Sequence, residues 1–126
     1  MQIPDDLHYS SDHEWIRVEG TRARVGITDY AQDALGDVVF VDLPEVGATV
    51  DAAASISEVE STKSVSDIFA PVAGIIVEVN EGLADAPERL NEDPYGEGWI
   101  FIIEMSDPTQ IDTLLSASDY RTLVEG

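Results

Sequence analysis

The chain has 126 residues with 26 acidic and six basic side chains, so its formal net charge at pH 7 is −20. A charge this negative disfavours nucleic acid and anionic membranes as partners, and no apolar stretch approaches the ~20 residues that cross a bilayer. The chain has no cysteine, which excludes disulfides and thiol catalysis, and its length predicts a single domain over residues 1–126.

The acidic residues are spread along the whole chain, which favours a protein adapted to a cytoplasm rich in salt. Repulsion between like charges disfavours a compact state at low ionic strength, whereas at molar salt the screening length falls to about 3 Å. The acidic segment from Met1 to Asp6 lacks the features of a secretory signal or a mitochondrial presequence. We therefore expect an acidic, halophilic protein of the cytoplasm.

The halophilic interpretation predicts that salt stabilises the fold. We expect the thermal unfolding midpoint to rise by several degrees between roughly 0.1 M and roughly 2 M KCl, because screening removes much of the self-repulsion. Thermal unfolding followed by circular dichroism measures this, with sucrose as a control for preferential exclusion. A midpoint that does not respond to KCl would contradict the interpretation.

The first predicted elements are a hairpin and a short helix. Residues 14–27 alternate apolar and polar side chains around the turn-forming pair Glu19-Gly20, with Arg22 and Arg24 on the polar face. A helix follows, which Thr28 or Asp29 can cap and after which Gly36 can stand. Its predicted apolar stripe consists of Tyr30, Ala31, Ala34 and Leu35.

Further apolar runs predict strands at residues 38–43, 75–80 and 99–105, and the last of these is apolar enough to be central. Residues 81–98 are rich in glycine, proline, asparagine and acids and are interpreted as a long loop. Many short strands with small helices at the edges predict a mainly-β sandwich or flattened barrel.

Two short helical pieces are predicted at the C-terminus. Asp107 caps the first piece with Pro108 at its first position, and Ser118 begins the second. The side chains predicted to face inward are Ile111, Leu114, Leu115, Tyr120, Leu123 and Val124.

Lys63 is the only lysine of the chain, whereas the other five basic residues are arginine. It falls in a small polar turn, residues 61–64, between the predicted strands 55–60 and 65–69. Arginine would supply the same charge, but only a lysine amine can deprotonate and become acylated. The residues alone leave two interpretations open, an ordinary solvated turn lysine and the attachment point of an acyl group.

Residues 60–67 read Glu-Ser-Thr-Lys-Ser-Val-Ser-Asp, and residues 70–74 read Ala-Pro-Val-Ala-Gly. Both segments resemble the lipoyl-lysine segment of the glycine cleavage system H protein family. Residues 7–15 and 26–44 are similar to two further motifs of that family, and the matching positions continue in order over residues 7–124. A resemblance of this extent is far more specific than any single short motif.

This resemblance implies a lipoyl-domain-like barrel-sandwich hybrid of two antiparallel sheets, with short edge and C-terminal helices. It implies a lipoyl group joined by an amide to Lys63, on a hairpin of about residues 55–70. In the family, this arm shuttles an aminomethyl group from a PLP-dependent glycine decarboxylase (P protein) to a tetrahydrofolate-dependent aminomethyltransferase (T protein). Dihydrolipoyl dehydrogenase (L protein) reoxidises the arm, and a lipoate ligase or lipoyltransferase attaches it.

The same resemblance implies roles for residues around the lysine. Those that the ligase would read on the hairpin are Glu60, Ser61, Thr62 and Ser64. Glu14 and Asp67 fit motif positions and are candidates for docking the loaded arm, because a carboxylate can pair with its terminal ammonium. Ala34 departs from the family, in which a larger polar side chain such as histidine is common, and this puts the tightness of docking in doubt.

Other classes of carrier protein share parts of this pattern. A biotinyl carrier has the same general fold, but methionines usually flank its lysine, whereas Thr62 and Ser64 flank Lys63. The lipoyl domains of 2-oxoacid dehydrogenases have no counterpart of residues 1–35 and 106–126. A lipoate relay protein, which hands the group to other acceptors, would keep the same hairpin and is an alternative.

An independent enzyme is disfavoured. His8 and His13 are the only histidines, and with the neighbouring acids they match no standard metal-ligand spacing. Both are predicted to lie on the surface. We expect a monomeric, non-catalytic carrier with no metal site.

Overall fold

The structure, a computed structural model, describes residues 1–125. Its strands are β1 (His8–Tyr9), β2 (Glu14–Glu19), β3 (Arg22–Ile27), β4 (Val38–Asp42), β5 (Thr49–Val50), β6 (Ser55–Ser61), β7 (Val65–Phe69), β8 (Gly74–Val79) and β9 (Phe101–Met105). Its α-helices are α1 (Asp29–Leu35), α2 (Gly82–Asp85), α3 (Arg89–Glu92) and α4 (Ala117–Glu125). Gly126, the last residue of the predicted domain, lies outside the described residues.

Within residues 1–125 the strands form two antiparallel sheets. The larger has the order β1-β2-β3-β9-β8-β5, and the smaller has the order β4-β6-β7. This confirms the predicted mainly-β fold of two antiparallel sheets with short helices. Buried side chains from both sheets meet in one core, and its members include Val25, Val41, Val59, Ile68, Ile76 and Phe101.

The predicted hairpin over residues 14–27 is confirmed as β2 and β3. Ala23 and Val25 are buried, while Arg22 is exposed, as the two-residue alternation predicts. Gly20 has φ +66° in the turn, a left-handed conformation that glycine adopts without steric cost. The hairpin therefore follows from local pattern alone.

Strand β9 occupies the position between β3 and β8, which confirms the expectation of a central strand. Phe101 and Ile103 are fully buried. The strand begins at Phe101 rather than at Trp99, although Ile100 just ahead of it already donates to Val25 O and accepts from Asn80 N–H.

The predicted long loop at residues 81–98 contains the short helices α2 and α3, so that expectation was wrong in part. Each helix has four residues, too few to show a helical repeat in the sequence. Each places one leucine, Leu83 or Leu90, fully inside the core. The segment is therefore a packed edge of the domain rather than a solvated excursion.

Helix α1 begins and ends at the predicted capping residues. The Thr28 hydroxyl accepts a hydrogen bond from Ala31 N, and Gly36 follows the last residue with φ +81°. The predicted apolar stripe was too wide, since Leu35 is buried but Ala34 is exposed. One side of this short helix therefore remains available to solvent near its C-terminal end.

The C-terminal pieces are a 3-10 helix over Pro108–Thr113, with Asp107 as its cap, and helix α4. Helix α4 begins at Ala117, one residue before the predicted start, and Leu123 is exposed rather than inward. A second core cluster joins α4 to the larger sheet through Leu7, Tyr9, Trp15, Ala117 and Tyr120. Among residues 1–125, no helix is long and apolar enough to cross a bilayer.

Candidate functional site

The turn that carries Lys63 is organised by Ser61. The Ser61 hydroxyl accepts hydrogen bonds from the backbone N–H groups of Lys63 and Ser64, each at 3.1 Å. The Ser61 N–H in turn donates to Ser64 O at 2.8 Å. Thr62, Lys63 and Ser64 are all exposed, so the predicted lysine hairpin projects its tip into solvent. The structure thus gives Ser61 a role in shaping the tip, while Thr62 and Ser64 flank the lysine on an open surface.

The Lys63 tip rests on the end of helix α1. Thr62 N–H donates to Asp37 O at 3.0 Å. A Cβ placed on Gly36 would lie 3.2 Å from Cε and 3.7 Å from Nζ of Lys63, so the lysine stem runs closely over this glycine. Among the described residues, the Lys63 amine has no ion-pair or hydrogen-bond partner. These contacts leave the nitrogen open to a modifying enzyme and fit a covalently attached arm.

Gly36 combines two requirements in one residue. Its backbone (φ +81°, ψ −154°) is in a region that only glycine occupies readily, and the lysine stem fills the space above it. We expect G36A to lower the free energy of unfolding by about 2 kcal/mol and to displace the Lys63 side chain. Urea denaturation measures the first effect. Because the chain has one lysine, the single NMR resonance of Lys63 Cε in protein labelled with ¹³C-lysine measures the second.

The matched control for this prediction is G20A. Gly20 also has a positive φ, +66°, but nothing lies within 4 Å of the position of its Cβ. G20A should therefore strain the backbone without moving the Lys63 resonance. If both variants shift that resonance equally, or if neither does, the packing of the lysine stem on Gly36 is not supported.

The outer face of the small sheet places apolar and acidic side chains beside the tip. Glu60 pairs with Phe40 on one side and with Val65 on the other, and all three are exposed. Phe40 and Val65 retain 50% and 57% of their accessible surface, which is high for large apolar side chains. The apolar run of β4 did not reveal that Phe40 is exposed, because such a run does not show which of its faces stays uncovered.

Asp67 lies on the same face, one step further from the tip. It is exposed and stands opposite Glu58, while Glu58 also pairs with Asp42 on β4. Among the described residues, Asp67 makes no side-chain hydrogen bond or ion pair. Its role in docking the arm stays a prediction, and its exposed carboxylate is accessible for that role.

Glu14 is placed very differently from Asp67. Only 1% of its surface is accessible, and both carboxyl oxygens are engaged. Oε1 accepts from the Ser10 hydroxyl at 3.0 Å, and Oε2 accepts from Phe69 N–H at 2.7 Å. Burial raises the pKa of Glu14 to about 8, although its hydrogen bonds to Phe69 and Ser10 oppose the shift.

Glu14 therefore joins β2 of the large sheet to the end of β7, the strand that leads out of the lysine turn. The structure presents no exposed Glu14 oxygen to a ligand, and its predicted docking role stays a prediction. An acid at the start of an amphipathic strand gives no sequence signal for burial, because its partner Phe69 is 55 residues away.

His8 and His13 are both half-buried, so the expectation that both histidines are surface residues was wrong in part. His13 makes specific contacts. Its Nδ1 lies 2.9 Å from the Tyr120 hydroxyl, which lies 2.7 Å from the Thr28 hydroxyl. Its ring also packs at 4.6 Å on Tyr30, and burial lowers its pKa. His13 thus links helix α4 to the start of α1. Among residues 1–125, no group of three histidine or acidic residues is arranged to hold a metal ion.

A barrel-sandwich of two antiparallel sheets, with one exposed lysine at the tip of a two-stranded hairpin, defines a carrier domain of the lipoyl type. Comparison with known proteins specifies the family: the glycine cleavage H-protein family model matches residues 7–126, and the chain belongs to that family. Members of this family carry covalently attached lipoate.

Similar proteins match along nearly the whole chain. The glycine cleavage system H protein of Anaeromyxobacter sp. (strain K) is 54% identical over 99% of this chain and 98% of its own length. That of Bacillus subtilis (strain 168) is 50% identical over the same shares. The crystal structure of a glycine cleavage system H protein from Mycobacterium marinum matches with a TM-score of 0.90 and 48% identity, covering 98% of this chain and 100% of that one.

Proposed function

We propose that this chain is the lipoyl carrier of a glycine cleavage system, a single domain that bears lipoate on Nζ of Lys63. The observation that carries the proposal is the single lysine of a family member, exposed at the tip of a hairpin with its amine unpaired among the described residues. When bound, the lipoyl group supplies a disulfide that accepts an aminomethyl cargo and a long tether that carries it between enzymes.

The chain's own residues present and orient the attachment point. Joining Nζ of Lys63 to a carboxyl group forms an amide and removes the positive charge of the side chain. Ser61 fixes the turn, and Gly36, which has no side chain, leaves room for the lysine stem that runs over it. We assign no catalytic residue to the chain, so the chemistry belongs to the attached group and to the partner enzymes.

We further propose that the modifying ligase or lipoyltransferase reads the outer face of the hairpin. Glu60 supplies a carboxylate there, and Thr62 and Ser64 keep the approach to the lysine open. The exposed side chains of Phe40 and Val65 on either side of Glu60 support this proposal, because exposed apolar surface marks protein contacts and aromatic residues are enriched in them.

For the loaded arm, we propose docking against this same side of the domain. Asp67 has an exposed carboxylate that can pair with an ammonium, whereas Glu14 would have to give up a hydrogen bond to Ser10 or Phe69. Asp67 is therefore the better supported of the two. The exposed Ala34 on α1 offers no polar contact, which favours a docked arm that is held less tightly than a histidine there would hold it.

The partners proposed for the carrier are glycine decarboxylase, aminomethyltransferase and dihydrolipoyl dehydrogenase, together with the lipoate-attaching enzyme. Family membership supports interaction with components of the glycine cleavage system. The monomeric state, the cytoplasmic location and the halophilic character stay predictions from the sequence. A lipoate relay that donates the group to other acceptors is the alternative function.

The test is the intact mass of the protein after incubation with a lipoate ligase, lipoate and ATP, followed by peptide mapping. We expect one lipoyl amide on Lys63, and then glycine-dependent gain of an aminomethyl group in the presence of glycine decarboxylase. A biotinyl increment from the native host, or an unmodified Lys63, would overturn the proposal. Transfer of the lipoyl group to other acceptors without glycine-dependent loading would favour the relay.

A further inference from the structure

Asn91 on helix α3 holds the backbone segment on which the Lys63 tip rests. Its Nδ2 donates to Gly36 O at 2.8 Å, and its Oδ1 accepts from Val38 N–H at 2.9 Å. These two backbone groups stand on either side of Asp37. Nδ2 also donates to Gln32 Oε1 at 3.0 Å, so one amide joins α3 to helix α1 and to the start of strand β4.

The Lys63 tip packs on this segment, residues 36–38. Asp37 O accepts the Thr62 N–H at 3.0 Å, and the stem of Lys63 runs over Gly36. The position of the tip therefore depends on where residues 36–38 lie. Strand pairing holds this segment on one side through the pairing of Val38 with Ser61, and the Asn91 amide holds it on the other.

Helix α3, which carries Asn91, is itself anchored in the domain. Leu90, the residue before Asn91, is fully buried in the main core, and α3 packs against α1. A short helix anchored in this way presents the Asn91 amide with little freedom. Its side-chain contacts span 53 and 55 residues of the chain, so they bring together segments that no local pattern connects.

We propose that Asn91 is a positioning residue for the carrier lysine: its amide fixes residues 36–38 and thereby holds the Lys63 tip in the conformation that the modifying enzyme accepts. Among side chains of this length, only asparagine can make both of these hydrogen bonds. One short side chain must donate to a carbonyl and accept from an N–H at once. Aspartate cannot donate to Gly36 O, and alanine leaves both backbone groups without this partner. The importance for modification rests on the proposed function, whereas the positioning itself does not.

The experiment compares N91D with N80D in the full-length, unlipoylated protein. Asn80 is a matched control, because its Nδ2 also donates to two backbone carbonyls, Glu97 O and Trp99 O, both at 2.8 Å. We expect hydrogen exchange at the Thr62 amide, followed by NMR, to become about tenfold faster in N91D and to stay within about twofold in N80D. If N91D does not fold, N91A and N80A replace the pair, with the same expectation.

Lipoylation kinetics give the second readout. A tip that spends less time in the accepted conformation binds the ligase more weakly, so N91D should raise KM for lipoate attachment several-fold while kcat changes little. N80D should leave both constants near the values of the unsubstituted protein. Unchanged Thr62 exchange in N91D and N91A, or equal acceleration by the Asn80 variants, would overturn the positioning role.

The two proposals fail separately. Amide exchange is measured without ligase, lipoate or partner enzymes, so it decides the positioning role of Asn91 by itself. If the unsubstituted protein is not lipoylated on Lys63, the proposed function fails whatever the exchange result. If the protein is lipoylated and Thr62 exchange separates N91D from N80D, but KM does not change, then the proposed effect on modification is wrong.

Discussion

The K63R variant is expected to lose all lipoylation while remaining folded. Arginine keeps the positive charge of the exposed tip, but its guanidinium does not deprotonate and forms no amide with lipoate. Because the chain has no other lysine, no alternative side-chain amine remains. Intact mass after incubation with lipoate ligase should show no increment, and glycine-dependent loading by the decarboxylase should fall to background.

A second lysine tests whether the hairpin or the amine determines modification. The double variant K63R/R22K restores one lysine at an exposed position on strand β3, where Arg22 pairs with Glu104 at 3.1 Å. We expect no lipoylation of this variant, because residue 22 lies on strand β3, outside the hairpin tip that we propose the ligase reads. Lipoylation of K63R would refute the assignment of Lys63. Lipoylation of K63R/R22K at the rate of the unsubstituted protein would refute the role of the hairpin.

The second large effect is expected at Glu14. The folded protein holds this carboxyl at a pKa of about 8, whereas the ordinary value is 4.5. Between these values the folded state binds one more proton at Glu14 than the unfolded state does. The contribution of Glu14 to stability is therefore fully present below pH 4.5 and is lost as the pH rises to about 8.

The variant E14Q should remove this loss, because a neutral amide can accept from Phe69 N–H and donate to the Ser10 hydroxyl. We expect its unfolding free energy, relative to the unsubstituted protein, to rise by roughly 3 kcal/mol between about pH 5 and about pH 7.5 and to level off above about pH 8. Urea denaturation across this range, at a fixed high KCl concentration, measures the difference.

The other 25 acids are present in both proteins, so the difference between the two curves isolates Glu14. Asp12, which also raises the pKa of Glu14, is unchanged as well. E14A is the destabilised comparison, since it leaves the Phe69 N–H without its partner at every pH. Parallel curves for E14Q and the unsubstituted protein would mean that Glu14 titrates normally in the folded state.

Much of the fold follows from signals that act over a few residues. Alternation of polar and apolar side chains predicted β2 and β3, and the caps Thr28 and Gly36 predicted both ends of α1. The same local signals were too weak for α2 and α3, because four residues show no periodicity and the burial of Leu83 and Leu90, which helps to stabilise these turns, is a tertiary contact.

For the site, the residues placed the chain's sole lysine at a hairpin tip, because a polar turn between two strands is a local signal. That Lys63 is the lipoyl acceptor is a prediction that came from the family resemblance. The surroundings of that tip, in contrast, depend on tertiary packing. The stem of Lys63 meets Gly36, Asn91 holds the segment beneath it, and Glu14 reaches Phe69. These contacts join residues 27 to 55 positions apart, and they depend on how two sheets and an edge helix pack, which no local pattern encodes.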